Sequence, residues 1–305
     1  MKINWYPGHM HKASKEIKEA LPHIDLIIEV LDARIPYSSQ NPVLSDLRQE
    51  TPCIRILNKS DLADPALTER WQTFLEQEQG VKTLATRTDQ PEKIKQIIDL
   101  CRKMLADKVA ANRVIRTMIM GIPNVGKSTL INILAGKTIA KTGNEPAVTQ
   151  RQQRINLGQN VILSDTPGVL WPNVENINSG YRLAITGAIK DTAMHYDDVA
   201  FFAADYLLSR YPECLKQRFQ IDDLPETEVE LMSLIGQKRG CLKTGKQIDM
   251  DKTGKILLQE IRSGKLGQIS WESPEIVNEE QAELERLRAA KAAKKAARKK
   301  KRSFR

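Results

Sequence analysis

Cysteine is scarce: Cys53, Cys101, Cys214 and Cys241 are the only four in 305 residues, far apart and without a Cys-x-x-Cys pair. That spacing excludes a disulfide framework and a zinc site and leaves buried thiols as the expectation. Nor does any run approach the ~18 apolar residues of a membrane span. Met1-Lys2-Ile3-Asn4-Trp5 lacks the apolar centre of a signal peptide. The expectation is a cytoplasmic, monomeric protein with no membrane contact. At 28% charged and 41% hydrophobic residues the chain reads as globular, with about two domains.

Acids are missing from one end. Ala289 to Arg305 carries nine Lys or Arg residues and no Asp or Glu. The net charge is +9, and the other 38 basic residues balance 38 acidic ones, so the whole excess lies in this tail. Its Ala/Lys repeats are of low complexity and predict a segment unfolded when free. Such a tail suits RNA, an acidic partner or simple solubilisation.

What the chain does have is Gly121 to Ser128, Gly-Ile-Pro-Asn-Val-Gly-Lys-Ser, placed between an apolar run (Val114 to Met120) and a helix start. Strand, glycine-rich turn and helix are the context a phosphate-binding loop needs. Backbone N–H groups of Asn124, Val125, Gly126, Lys127, Ser128 and Thr129 would face phosphate oxygens, aided by the positive helix end. Lys127 would reach the terminal phosphates, and the Ser128 hydroxyl would hold Mg2+.

Asn58-Lys59-Ser60-Asp61 names the nucleotide. The Asp61 carboxylate can accept from both N1–H and the exocyclic amine of guanine, an edge adenine lacks. The Lys59 stem can lie over the purine, and Asn58 can bridge base and loops. Asp165-Thr166-Pro167-Gly168 supplies Asp165 for Mg2+ and the Gly168 N–H for the terminal phosphate, with Thr149 as the second hydroxyl on the metal.

Apolar runs at Ile24 to Leu31, Cys53 to Leu57 and Val81 to Ala85 alternate with helical patterns at Pro65 to Gln79 and Pro91 to Leu105. This predicts an α/β domain with a mostly parallel sheet and helices on both faces. Gln153 to Leu157 and Asn160 to Leu163 read as a hairpin. Helical patterns then follow at Ala184 to Ile189, Val199 to Ser209, Glu226 to Ile235 and Lys255 to Arg262. The predicted units are 1–175, nucleotide-binding with an N-terminal helical extension; 176–287, helical; and 288–305, the basic tail. Asp249-x-Asp251-x-Thr253-Gly254 approaches a calcium loop, but it has Thr at the fifth position and no second copy. It reads instead as a helix start.

The guanine motif precedes the phosphate loop by about sixty residues, an inverted order. With Trp5-Tyr6-Pro7-Gly8-His9-Met10, Leu31-Asp32-Ala33-Arg34-Ile35-Pro36 and Arg262-Ser263-Gly264-Lys265-Leu266-Gly267, the chain resembles the circularly permuted GTPases of ribosome biogenesis over nearly its whole length. The resemblance implies GTP/GDP as ligands and hydrolysis on the large ribosomal subunit, followed by dissociation. The 176–287 unit would meet rRNA and ribosomal proteins, and the tail would favour RNA. A Ras-type GTPase places Gln after Asp-x-x-Gly to orient water. Val169-Leu170-Trp171 stands here instead, and the resemblance implies that His9 takes the role. It also implies K+ at Asn124, and a base-flanking segment near Thr86 and Arg87, where the family's Ser-Ala is absent. A phosphotransferase acting on a small molecule is the other reading of a phosphate loop, though no acceptor-binding constellation accompanies it.

Overall fold

The computed structural model describes residues 8–42, 48, 50–139, 153–171 and 174–303, with the side chains of His9 and of 295–303 outside that description. Thr149 and Trp5 to Pro7 also lie outside the described residues. Six strands form one sheet in the order β3-β2-β1-β4-β6-β5. They are β1 (Leu26–Asp32), β2 (Cys53–Asn58), β3 (Val81–Ala85), β4 (Ile115–Gly121), β5 (Gln153–Gly158) and β6 (Val161–Asp165). All neighbours are parallel except the β5/β6 hairpin. Every residue of β1 is buried, as an inner parallel strand covered on both faces requires.

Helix α1 (Gly8–Ala20) buries Met10, Ala13 and Ile17, one stripe at helical spacing, in the main core. Helix α2 (Pro65–Leu75) starts at an Asp64 cap that accepts from the N–H groups of Ala66 and Leu67, with Pro65 at the first helical position. Helices α3 (Pro91–Met104), α4 (Ala106–Ala110) and α5 (Lys127–Ala135) complete the α/β region. The chain steps outward from β1 through β2 to β3, and outward the other way from β4 to β6. The order therefore reverses between β1 and β4, where Val30 pairs with Gly121. Ligands bind beyond the carboxyl ends of strands at such a switch point, and that is where α5 and its loop begin.

After β6 the chain is helical: α6 (Ile177–Ile185), α7 (Tyr196–Arg210), α8 (Pro212–Phe219), α9 (Glu228–Lys238), α10 (Met250–Arg262) and α11 (Pro274–Ser303). Asp249 accepts from the Lys252 N–H and so caps α10, in keeping with its reading as a helix start. Helix α11 differs from expectation: the chain stays helical to Ser303 rather than unfolding near 288. Ala, Lys and Arg are among the strongest helix formers, and here they extend a helix already started by packing. Its first turn is docked, with Val277 joining Leu31, Leu57, Trp71 and Leu75 in a second core cluster.

The helical region is tied to the sheet by buried polar contacts. Glu272, fully buried, accepts from the Tyr37 and Ser38 N–H groups and the Ser38 hydroxyl. Arg182 lies 3.5 Å from Glu272 and 2.6 Å from Glu280. Burial pushes the Glu272 carboxyl up, and Arg182 and the Ser38 donors pull it back. The thiols are free; burial pushes those of Cys53 and Cys101 up to about 12. Among the described residues no helix is long and apolar enough to cross a membrane.

Candidate functional site

Asp32, Asn58, Gly121 and Asp165 end β1, β2, β4 and β6, and Thr86 follows β3, so the parallel strands deliver them to one rim. The phosphate loop turns out of β4 with Asn124 at φ 59° and Gly126 at φ 95°. Gly126 must be glycine for two reasons: its backbone is left-handed, and a Cβ would stand 2.3 Å from the Asn58 amide nitrogen. Gly121 is constrained by close approach alone, since a Cβ would lie 2.6 Å from the Val30 carbonyl. Val125 is buried beneath the turn, while Ser128 and Thr129 are half-buried at the start of α5.

The guanine motif is joined to this loop by direct bonds. Asn58 donates its amide to the Val125 carbonyl at 2.8 Å and accepts from the Thr86 hydroxyl at 3.1 Å. Lys59, itself at φ 58°, donates to the Asn124 carbonyl at 2.6 Å. Its ammonium also lies 3.3 Å from Asp32, which a buried Arg34 grips through one guanidinium edge, Nε at 2.8 Å and Nη2 at 2.7 Å. Burial alone would raise the Asp32 carboxyl, but Arg34 and Lys59 outweigh it and hold the group well below the usual carboxylate range. Ser60 closes the turn by donating its N–H and hydroxyl to the Thr86 carbonyl. Thr86 is thus a support of Asn58 and Ser60 from below. Arg87 turns away to an exposed pair with Asp89.

On the phosphate side Lys127 and Asp165 are both buried and sit 3.3 Å apart. Burial raises the Asp165 carboxyl and lowers the Lys127 ammonium, and each is opposed by the attraction of the other. Gly168 packs against the loop, where a Cβ would be 3.1 Å from Pro123. The Val169 N–H donates to the Gly121 carbonyl at 3.1 Å. Val169 and Leu170 are buried at 2% and 1% exposure, so neither side chain faces a reacting water.

The site therefore brings the Asn58–Asp61 loop, the Gly121–Ser128 loop and the Asp165–Gly168 turn to one rim. A family model described as 50S ribosome-binding GTPase matches residues 116–233. Ribosome biogenesis GTPase A of Priestia megaterium is 48% identical over 282 residues, covering 90% of this chain and 98% of that protein. The chain belongs to the ribosome biogenesis GTPase A family. A more distant relative, ribosome biogenesis GTPase A of Thermotoga maritima, is 31% identical over 284 residues, covering 93% of this chain and 99% of its own. Among solved structures, GDP-bound TM YlqF is 27% identical with a TM-score of 0.61, covering 85% of this chain and 99% of that one. GNP-bound YlqF from T. maritima gives the same TM-score, 0.61, over 87% of this chain. The fold of this family member is that of a circularly permuted GTPase.

Three contributors were not legible as site residues from sequence. Asp32 and Arg34 stood out as a motif, but their pairing with Lys59 did not. Gly187, whose carbonyl accepts from the Asn124 amide at 2.8 Å, gave no signal at all. His9 lies within α1, and where its side chain points is outside the described residues.

Proposed function

We propose that this family member binds GTP with Mg2+, hydrolyses it while docked on the maturing large ribosomal subunit, and then dissociates. The observation that carries this reading is the pair of bonds from Asn58 and Lys59 to Val125 and Asn124. They make the base-reading loop and the phosphate loop one rigid site, in which Asp61 selects guanine. Lys127 neutralises the terminal phosphates.

Ser128 and Asp165 are hard oxygen donors, joined by Thr149, and fit Mg2+, which takes its remaining ligands from phosphate and water. Bound there, the ion would offset charge developing on the phosphates. The Asn124 side-chain oxygen is the proposed K+ ligand, in the role an arginine finger fills elsewhere. His9 is the proposed group that orients water, because Val169 and Leu170 cannot.

Residues 1–175 act as the nucleotide unit, and 176–287 as the helical unit that meets rRNA and ribosomal proteins. The basic segment 288–305 adds sequence-independent attraction to RNA. Such work belongs in the cytoplasm. GTP turnover measured with and without large subunits tests the proposal. Strong stimulation by large subunits is expected, and unchanged turnover overturns it.

A further inference from the structure

The Arg-Ser-Gly-Lys-Leu-Gly run from Arg262 to Gly267 ends α10, and the nucleotide chemistry above makes no use of it. Its arginine lies across the end of another helix. Helix α6 ends at Ile185 and the chain turns at Gly187, φ 82°, with the Gly187 N–H donating to the Ala184 carbonyl at 3.1 Å and the Ala188 N–H to the Leu183 carbonyl at 2.9 Å. This is a Schellman ending, and a cation beside it is favoured by the negative end of the helix dipole.

Arg262 supplies that cation. Its Nε donates to the Ile185 carbonyl at 2.9 Å, one Nη to the Ala184 carbonyl at 2.8 Å and the other to Asp191 at 3.0 Å. The guanidinium also packs against Gly187, where a Cβ would be 3.4 Å from Nε and 3.6 Å from the guanidinium carbon. Three acceptors, one for each guanidinium nitrogen, suit the fork of an arginine and not the point charge of a lysine. Gly187, pinned in this way, presents its carbonyl to the Asn124 amide of the phosphate loop at 2.8 Å. The same segment then continues to the guanine motif. Gln268 donates to the Asp61 carbonyl at 3.2 Å, and the Ile269 N–H donates to the Leu62 carbonyl at 3.0 Å.

We infer that Arg262 is a positioning residue for the nucleotide site, acting on Asn124 through the Gly187 carbonyl. Force applied to α6 or α10 then reaches the phosphate loop without passing through the sheet. The inference rests on guanine-nucleotide binding at this site.

The test is the rate of fluorescent GDP release from the full chain carrying Arg262→Gln, Asn124→Ala, or both. Arg218→Ala serves as control, because Arg218 pairs with Glu260 on the same helix and bonds neither loop. Loss of one positioning hydrogen bond predicts release about fivefold faster for Arg262→Gln. The double variant should release no faster than Asn124→Ala alone, because the two residues act in series. Arg218→Ala should release GDP at the wild-type rate. Should Arg262→Gln fail to fold, Asp191→Ala removes an exposed anchor of the guanidinium, together with a hydrogen bond to Tyr196 that reaches neither loop. It should speed release about twofold, an effect absent in the Asn124→Ala background. Multiplying effects in the double variant, or wild-type release from Arg262→Gln, overturns the inference. Failure of the wild-type chain to bind GDP would instead remove the reading of the site.

Discussion

The Lys59 ammonium donates to the Asn124 carbonyl at 2.6 Å, joining the guanine motif to the phosphate loop between residues 65 positions apart. In a permuted chain these two loops belong to separate strand–helix units, and a direct bond holds them in one register. Asp32 and Arg34 stand behind Lys59, and Thr86 stands behind Asn58. The base side of the site is consequently held by bonds within the chain itself.

Gly126→Ala tests how close the two loops must come. Left-handed backbone costs an L-residue roughly 1–2 kcal/mol, and the added Cβ would also displace the Asn58 amide. Gly136 is left-handed too, φ 66°, but has nothing within 4 Å of a Cβ. Gly136→Ala should therefore lower thermal stability by the backbone part alone and leave GDP affinity intact. Gly126→Ala should lower both. Equal behaviour of the two variants would contradict the close packing of Gly126 on Asn58.

Asp32 gives a pH prediction. Its carboxyl titrates at 3.8 when unperturbed and lower in the fold, so the unfolded chain takes up the proton first as pH falls. The stabilisation is present above 3.8 and is lost as pH drops below that value. Asp32→Asn leaves Arg34 and Lys59 without their anion and should cost about 3–5 kcal/mol at neutral pH. In urea unfolding, the gap between wild type and variant should narrow in acid. A gap of constant size would count against the Asp32–Arg34–Lys59 arrangement.

Glu272 is the buried acceptor that holds the 37–38 turn to the helical region. Glu272→Ala strands three donors of Tyr37 and Ser38 and leaves Arg182 with Glu280 as its remaining anion, an expected loss of about 3–5 kcal/mol. Glu272→Gln keeps one acceptor oxygen and should lose less. Chemical denaturation of the two variants measures the difference, and matching losses would show that the donors of Tyr37 and Ser38 are satisfied elsewhere.

The strands and the nucleotide loops were legible because each advertises itself locally. The apolar run ending at Leu31 has the length and branched side chains expected of an inner strand, and Asn58 to Asp61 and Gly121 to Ser128 place donors and acceptors at fixed short spacing. Helix α6 was not legible. The pattern pointed to Ala184 to Ile189, whereas the helix runs Ile177–Ile185 and is followed by the Gly187 turn. Seven successive residues, Ser179 to Ile185, are buried, which erases periodicity, and Gly180 inside the run reads as a breaker. The usable signal was Asn176, whose side chain caps the Asn178 and Ser179 N–H groups. The contacts of Arg182 with Glu280 and of Arg262 with Ile185 span 98 and 77 residues, and no local pattern encodes them. The helical course of the tail to Ser303 was hidden by low complexity, although its residue types favour helix individually.

The choice of base turns on Asp61, the proposed guanine reader. Equilibrium binding of GDP, ADP and xanthosine diphosphate to wild type and Asp61→Asn measures this directly. A carboxylate that accepts two guanine N–H groups should favour GDP over ADP by at least about a hundredfold. An asparagine there keeps only one acceptor and gains a donor, so the variant should lose GDP and take up xanthosine diphosphate, which presents a carbonyl where guanine has its amine. Comparable binding of ADP and GDP by wild type, or unchanged GDP binding by Asp61→Asn, would contradict the account.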